Sequence, residues 1–147
     1  MEGEILMSIN KFNAEGYPDP TAHGALSAIE AEEKTKLYRP LVYICSPLRG
    51  DMERNIQNAC RYSKFAVEMG AIPLAPHLLY TRFMDDTDPA QRELAMFFGL
   101  VLLRKCEALW LFGSRISGGM AREIVKAQKH GILIRFFTEE CVEVFPK

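Results

Sequence analysis

From Leu41 onward, short unbroken apolar runs alternate with longer segments in which apolar residues recur every three or four positions. Leu41 to Cys45 is a continuous apolar run, as expected of a strand buried on both faces of a parallel sheet, and Ala71 to Ala75, Ala108 to Phe112 and Ile132 to Phe137 have the length of further strands. Between the first two, Ile56, Ala59, Cys60, Ser63, Ala66 and Val67 trace one face of a helix that stops at Gly70. Pro89 opens a second helix reaching about Arg104, with Leu94, Phe97, Phe98, Val101 and Leu102 as its apolar side. A third runs from about Met120 to His130-Gly131. The segment from His77 to Pro89 reads as a loop.

Strands alternating with helices imply right-handed crossovers and a mainly parallel sheet with helices on both faces. In such α/β sheets a ligand sits beyond the carboxyl ends of the strands, where the strand order reverses. The turns after the first and third strands, Ser46 to Asp51 and Gly113 to Gly119, are therefore where chemistry is expected. Before Leu41 the pattern changes. Asn13 to Pro20 has the Gly, Pro, Asn and Asp content of a loop, and Thr21 is placed to cap a helix running to about Lys36. The expected division is an N-terminal extension over residues 1–38 and an α/β domain over 39–147.

Composition narrows the partners. The 147 residues carry 18 basic and 19 acidic side chains, a net charge of −1, so no global field draws the chain to a nucleic-acid polymer or an anionic membrane. Cys45, Cys60, Cys106 and Cys141 lie far apart, which argues against a zinc cluster or redox dithiol and for thiols acting as small hydrophobes. The start of the chain has Glu2 and Glu4 in place of a basic region, and no apolar stretch approaches membrane-spanning length, so the expected location is the cytoplasm. The reading invokes no metal and no cofactor: Asp85-Asp86-x-Asp88 lacks the glycine and distal glutamate of a calcium loop.

In the third turn, Gly118 and Gly119 let backbone approach a ligand closely, a helix N-terminus supplies free N–H groups, and Ser117 adds a hydroxyl. Glu123 is expected in the first turn of that helix, where capping alone also explains a glutamate. In the first turn, Arg49 has the fork for a phosphate or carboxylate, beside Ser46, Gly50 and Asp51. Tyr43 is unusual in a wholly buried strand, and its hydroxyl needs a partner. His77, Asp85 and Asp86 are further candidates on the loop.

Two segments carry a resemblance. Tyr43-Ile44-Cys45-Ser46-Pro47-Leu48-Arg49-Gly50 and Ser117-Gly118-Gly119-Met120-Ala121-Arg122-Glu123 resemble motifs of the nucleoside 2-deoxyribosyltransferase superfamily. They are closest to its deoxynucleoside 5′-monophosphate N-glycosidase branch and to related proteins of bacteria and phages. The resemblance spans about Leu41 to Phe137. It implies a flavodoxin-like, Rossmann-like three-layer fold with about five strands, and a homodimer or higher homo-oligomer. It also implies a small nucleoside or nucleotide as partner. On that analogy Glu123 is the nucleophile at C1′, Tyr43 orients Glu123 or the sugar, and Arg49 and Ser117 hold a 5′-phosphate.

The sequence departs from the family at two places. About two helical turns before the third strand, where the family places an aspartate, it reads Phe97-Phe98-Gly99-Leu100; Asp85 or Asp86 is expected to substitute, with His77 assisting. Pro47 stands where a serine is expected, with Ser46 adjacent. The alternatives left open are an N-glycosidase or transferase, a non-catalytic nucleotide-binding or sensing domain, and an interaction protein acting through its N-terminal segment.

Overall fold

The apolar runs form strands β1 (Leu41–Cys45), β2 (Ile72–Leu74), β3 (Ala108–Phe112) and β4 (Leu133–Phe137), and a two-residue strand β5 (Glu143–Val144) closes the chain. The helices are α1 (Met52–Glu68), α2 (Pro76–Tyr80), α3 (Pro89–Leu103) and α4 (Gly118–Lys129). The computed structural model describes residues 24–28 and 38–146. Residues 24–28 are helical; the rest of the helix expected between Thr21 and Lys36, and the loop before it, lie outside the described residues.

The five strands lie in the order β2-β1-β3-β4-β5. β1, β2, β3 and β4 pair in parallel and β5 pairs antiparallel to β4, so the expected α/β fold with a mainly parallel five-stranded sheet is the one observed. The strand order reverses between β1 and β3, the switch point of a flavodoxin-like sheet. Their carboxyl ends lie side by side, with Cys45 paired to Leu111.

Alternation along the strands sorts the core into two layers. Val42 and Ile44 of β1, with Trp110 and Phe112 of β3, pack with Tyr62 and Ala66 of α1. Tyr43, Cys45, Leu109 and Leu111 point the other way, to Leu103 of α3 and Met120 and Ala127 of α4. Tyr62 stacks on Phe112 with ring centroids 4.2 Å apart. The guanidinium of Arg135 lies 4.8 Å from the Trp110 ring centre and donates two hydrogen bonds, of 2.8 and 2.6 Å, to Glu143, tying β5 to the sheet.

Three expectations fail locally. The segment after β2 is not all loop, because Pro76, pre-set for the first helical position, starts the five-residue helix α2. In α1 the buried stripe is Ala59, Tyr62 and Ala66, while Cys60 is exposed and Val67 half exposed. In α3, Leu94, Phe97 and Val101 face outward at 47%, 58% and 41% exposure, and the buried residues are Gly99 and Leu103. The smallest residue of α3, not its largest, marks its inner side.

Candidate functional site

β1 ends in Ser46, and the chain then turns through Leu48 and Arg49 into α1, which Asp51 caps by accepting from the Arg54 N–H at 3.2 Å. Gly50 adopts a φ of +100° in this turn, and the Asn55 amide donates to the carbonyls of Leu48 and Arg49 at 3.0 and 2.9 Å. β3 ends at Phe112, and the following turn leads to Ser117, whose hydroxyl caps α4 by accepting from the Met120 N–H at 3.2 Å. The N–H groups of Gly118 and Gly119, in the first turn of α4, have no carbonyl partner within the helix.

Between these two turns lies a cavity of about 440 Å³, within the range of small-molecule sites. It is lined by Tyr43, Ser46, Arg49, His77, Asp85, Asp86, Ser117, Gly118, Gly119 and Glu123, all candidates from the sequence; Asp51, the cap of α1, is not in the wall. Nor is Gly50, whose place is the backbone turn. The lining includes Arg92 and Met96 of α3, Tyr80 and Met84, to which no sequence motif points, and Gly99 of the acid-free stretch.

Glu123 is the cavity's buried carboxyl, 9% exposed. It is not a first-turn residue: α4 begins at Gly118, two residues ahead of the expected start, because Ser117 caps it there. Glu123 therefore falls in the second turn, facing Tyr43 of β1. Burial pushes the Glu123 carboxyl up to about 7, and the hydrogen bond donated by the Tyr43 phenol pulls it partly back. Burial, together with the neighbouring carboxylate, holds the Tyr43 hydroxyl well above its ordinary range, so the phenol keeps its proton. Glu123 is thus the polar group that faces the Tyr43 hydroxyl. The same carboxylate, after burial, raises the Cys45 thiol and keeps it protonated.

Ser46 Oγ, just after β1, and His77 Nε2, in α2, lie 3.3 Å apart. Burial lowers the His77 imidazole to about 4, so it is neutral at neutral pH. The remaining acids are tied differently. Asp85 is exposed and accepts from the backbone and hydroxyl of Thr87, bonds that pull its carboxyl below the ordinary range. Asp86 is 16% exposed and faces Arg49 at 3.9 Å. Asp88 caps α3 by accepting from the Ala90 N–H at 3.1 Å. Asp85 and Asp86 thus line the same cavity as Glu123, each with a partner of its own.

At the mouth, Arg122 of α4 grips Glu93 of α3 with two bonds of 2.7 and 3.3 Å. Arg92, half-buried on the same stretch of α3, has no ion-pair or side-chain hydrogen-bond partner among the described residues. Arg92, Ala95, Met96 and Gly99 all line the cavity, at the spacing of one helix face. That spacing was in the sequence. It was masked by the bulkier Leu94-Phe97-Val101 stripe beside it.

The comparisons fix the family. Residues 40–137 match the model of a family described as a domain of unknown function, DUF7768. The chain belongs to this family. The DUF7768 region holds both turns, the cavity and all its lining residues. No curated protein matches in sequence. In fold, this protein is similar to the solved 2-deoxyribosyltransferase of the psychrotolerant bacterium Bacillus psychrosaccharolyticus. The TM-score is 0.56, over 72% of this chain and 77% of that one, at 13% identity. The flavodoxin-like architecture is common to both.

Proposed function

We propose that this DUF7768 protein binds a (deoxy)nucleoside or its 5′-monophosphate and cleaves or transfers at the N-glycosidic bond, with Glu123 as nucleophile. The observation that carries the reading is one buried carboxyl, steadied by Tyr43, facing a nucleoside-sized cavity at the sheet's switch point. The fold shared with a 2-deoxyribosyltransferase supports it.

A Glu123 oxygen attacks C1′ as the C1′–N bond breaks. The base leaves with the bonding electron pair and takes a proton from water in the open mouth. Water, or the nitrogen of a second base, then attacks C1′, loses a proton and frees the Glu123 carboxylate. A carboxyl titrating near 7 is available as carboxylate at neutral pH and is a competent leaving group in the second step. Tyr80, Met84 and Met96 supply an aromatic and thioether wall suited to a flat base. The first-turn N–H groups of α4, the Ser117 hydroxyl, Arg49 and Arg92 form the side suited to a 5′-phosphate.

A second reading is favoured by one feature. The stretch Phe97-Phe98-Gly99-Leu100, in whose neighbourhood the resemblance leads one to expect an aspartate, holds no acid, and Asp85 and Asp86 have partners of their own. A site with a single buried carboxyl is compatible with a nucleotide sensor that binds and releases its ligand unchanged. Chromatography of free base released from nucleosides and 5′-monophosphates separates the two: release by the wild type and not by Glu123→Gln is expected for the enzyme. Ligand-induced stabilisation with no release by either protein marks the sensor.

A further inference from the structure

Gly99 lies in the interior of α3, a 15-residue helix, where glycine opposes helix formation relative to alanine. Its φ is ordinary, so the backbone does not require it. What requires it is space. A Cβ built on Gly99 would stand 2.9 Å from the Tyr43 hydroxyl oxygen, closer than carbon and oxygen pack without a shift. Its next neighbours, Pro76 Cβ and Cγ, would be 3.9 and 4.0 Å away, in ordinary contact. Only the phenol oxygen is in the way.

We infer that Gly99 is a positioning residue whose bare Cα leaves the place in which the Tyr43 hydroxyl rests against Glu123. Tyr43 is 3% exposed, between α3 and the neighbouring strands, so its rigid ring has little room to retreat. A side chain at 99 displaces the hydroxyl from the carboxyl or lifts α3 from the sheet. This inference rests on Glu123 being the reacting group of the proposed function, but its test uses no substrate.

The experiment is a double-mutant cycle on the full chain, with Gly99→Ala, Tyr43→Phe and the pair. Glu123 is titrated by carboxyl ¹³C NMR and stability is measured by urea unfolding. The Tyr43 bond favours the charged carboxylate, so its loss raises the Glu123 midpoint. Gly99→Ala and Tyr43→Phe are each expected to raise that midpoint, and the double variant to match Tyr43→Phe alone. In stability, Gly99→Ala lowers the urea midpoint in the wild type and raises it in the Tyr43→Phe background, where the obstructing oxygen is gone and helix propensity alone remains. A Gly99→Ala protein whose Glu123 titrates as in wild type while Tyr43→Phe shifts it overturns the inference. So does an effect of Gly99→Ala on stability that is the same in both backgrounds, or a Tyr43→Phe protein with an unmoved Glu123. Failure of base release across the substrate panel would strike the proposed reaction and leave this cycle to be decided by its own readouts.

Discussion

Tyr43, midway along β1 on the sheet face covered by α3 and α4, sets its phenol against the carboxyl of Glu123, eighty positions later on α4, closely enough that each shifts the other's titration. Removing the hydroxyl leaves a buried carboxyl without its donor. Tyr43→Phe is expected to cost about 1–3 kcal/mol above pH 8, where Glu123 is charged, and less at pH 5.5, where it is neutral. Urea unfolding at the two pH values checks this; an equal cost at both would show that the phenol does not serve the charged form.

Glu123 and His77 make opposite contributions to the pH dependence of stability. Glu123 titrates near 7 in the fold against 4.5 when free, so the native state holds its proton more tightly. Its contribution is fully present below pH 4.5 and is lost as pH rises to 7, by about 3 kcal/mol. His77 titrates near 4 in the fold against 6.5 when free. Its contribution is present above pH 6.5 and is lost as pH falls to 4, by a similar amount, about 3 kcal/mol. Between pH 4.5 and 6.5 the two slopes oppose each other. His77→Gln should therefore leave a protein that weakens as pH rises from 4.5 to 7, and Glu123→Gln one that strengthens from 4 to 6.5. Unfolding curves across pH 4 to 8 test both signs.

Among the described residues, Arg92 is the lining arginine that makes no salt bridge, whereas Arg122 is held by Glu93 and Arg49 faces Asp86. Arg92→Gln is expected to weaken 5′-monophosphate binding about tenfold to a hundredfold, the scale of a charge-assisted bond, and to leave nucleoside binding unchanged. Calorimetric titration into a Glu123→Gln background measures this without turnover. Equal weakening of both ligand classes would assign Arg92 to the shape of the mouth and not to the phosphate.

The two loop aspartates should separate from Glu123 in their effects. Asp85 serves its own turn through Thr87, and Asp86 faces Arg49. Asp85→Asn is expected to change kcat less than about threefold, with a stability change within about 0.5 kcal/mol. Asp86→Asn frees Arg49 and is expected to tighten 5′-monophosphate binding. A loss of kcat of about a hundredfold in either variant would make that aspartate the missing acid.

Much of this site is visible in the sequence because strand ends are. Uninterrupted runs such as Leu41 to Cys45 and Ala108 to Phe112 mark buried parallel strands, and the polar residues after them fall at the switch point. Ser46, Arg49, Ser117 and Glu123 were located in that way. The face of α3 was not, because that helix is apolar nearly all round and size misleads: Phe97 is 58% exposed while Gly99 is buried. Nor could the sequence show that Glu123 is buried, since a glutamate near a helix start is ordinarily a solvated dipole partner. Its burial depends on Ser117 starting α4 early and on Tyr43 supplying a proton from another element. Contacts between residues so distant along the chain leave no local pattern.

The most direct test of the account is release of free base from a panel of nucleosides and 5′-monophosphates by the wild type and Glu123→Gln, followed from pH 5 to 9. The account predicts release by the wild type, with kcat/KM rising through a single ionisation near pH 7, and none by the variant. Release that survives Glu123→Gln, or no release from any member of the panel, would contradict it.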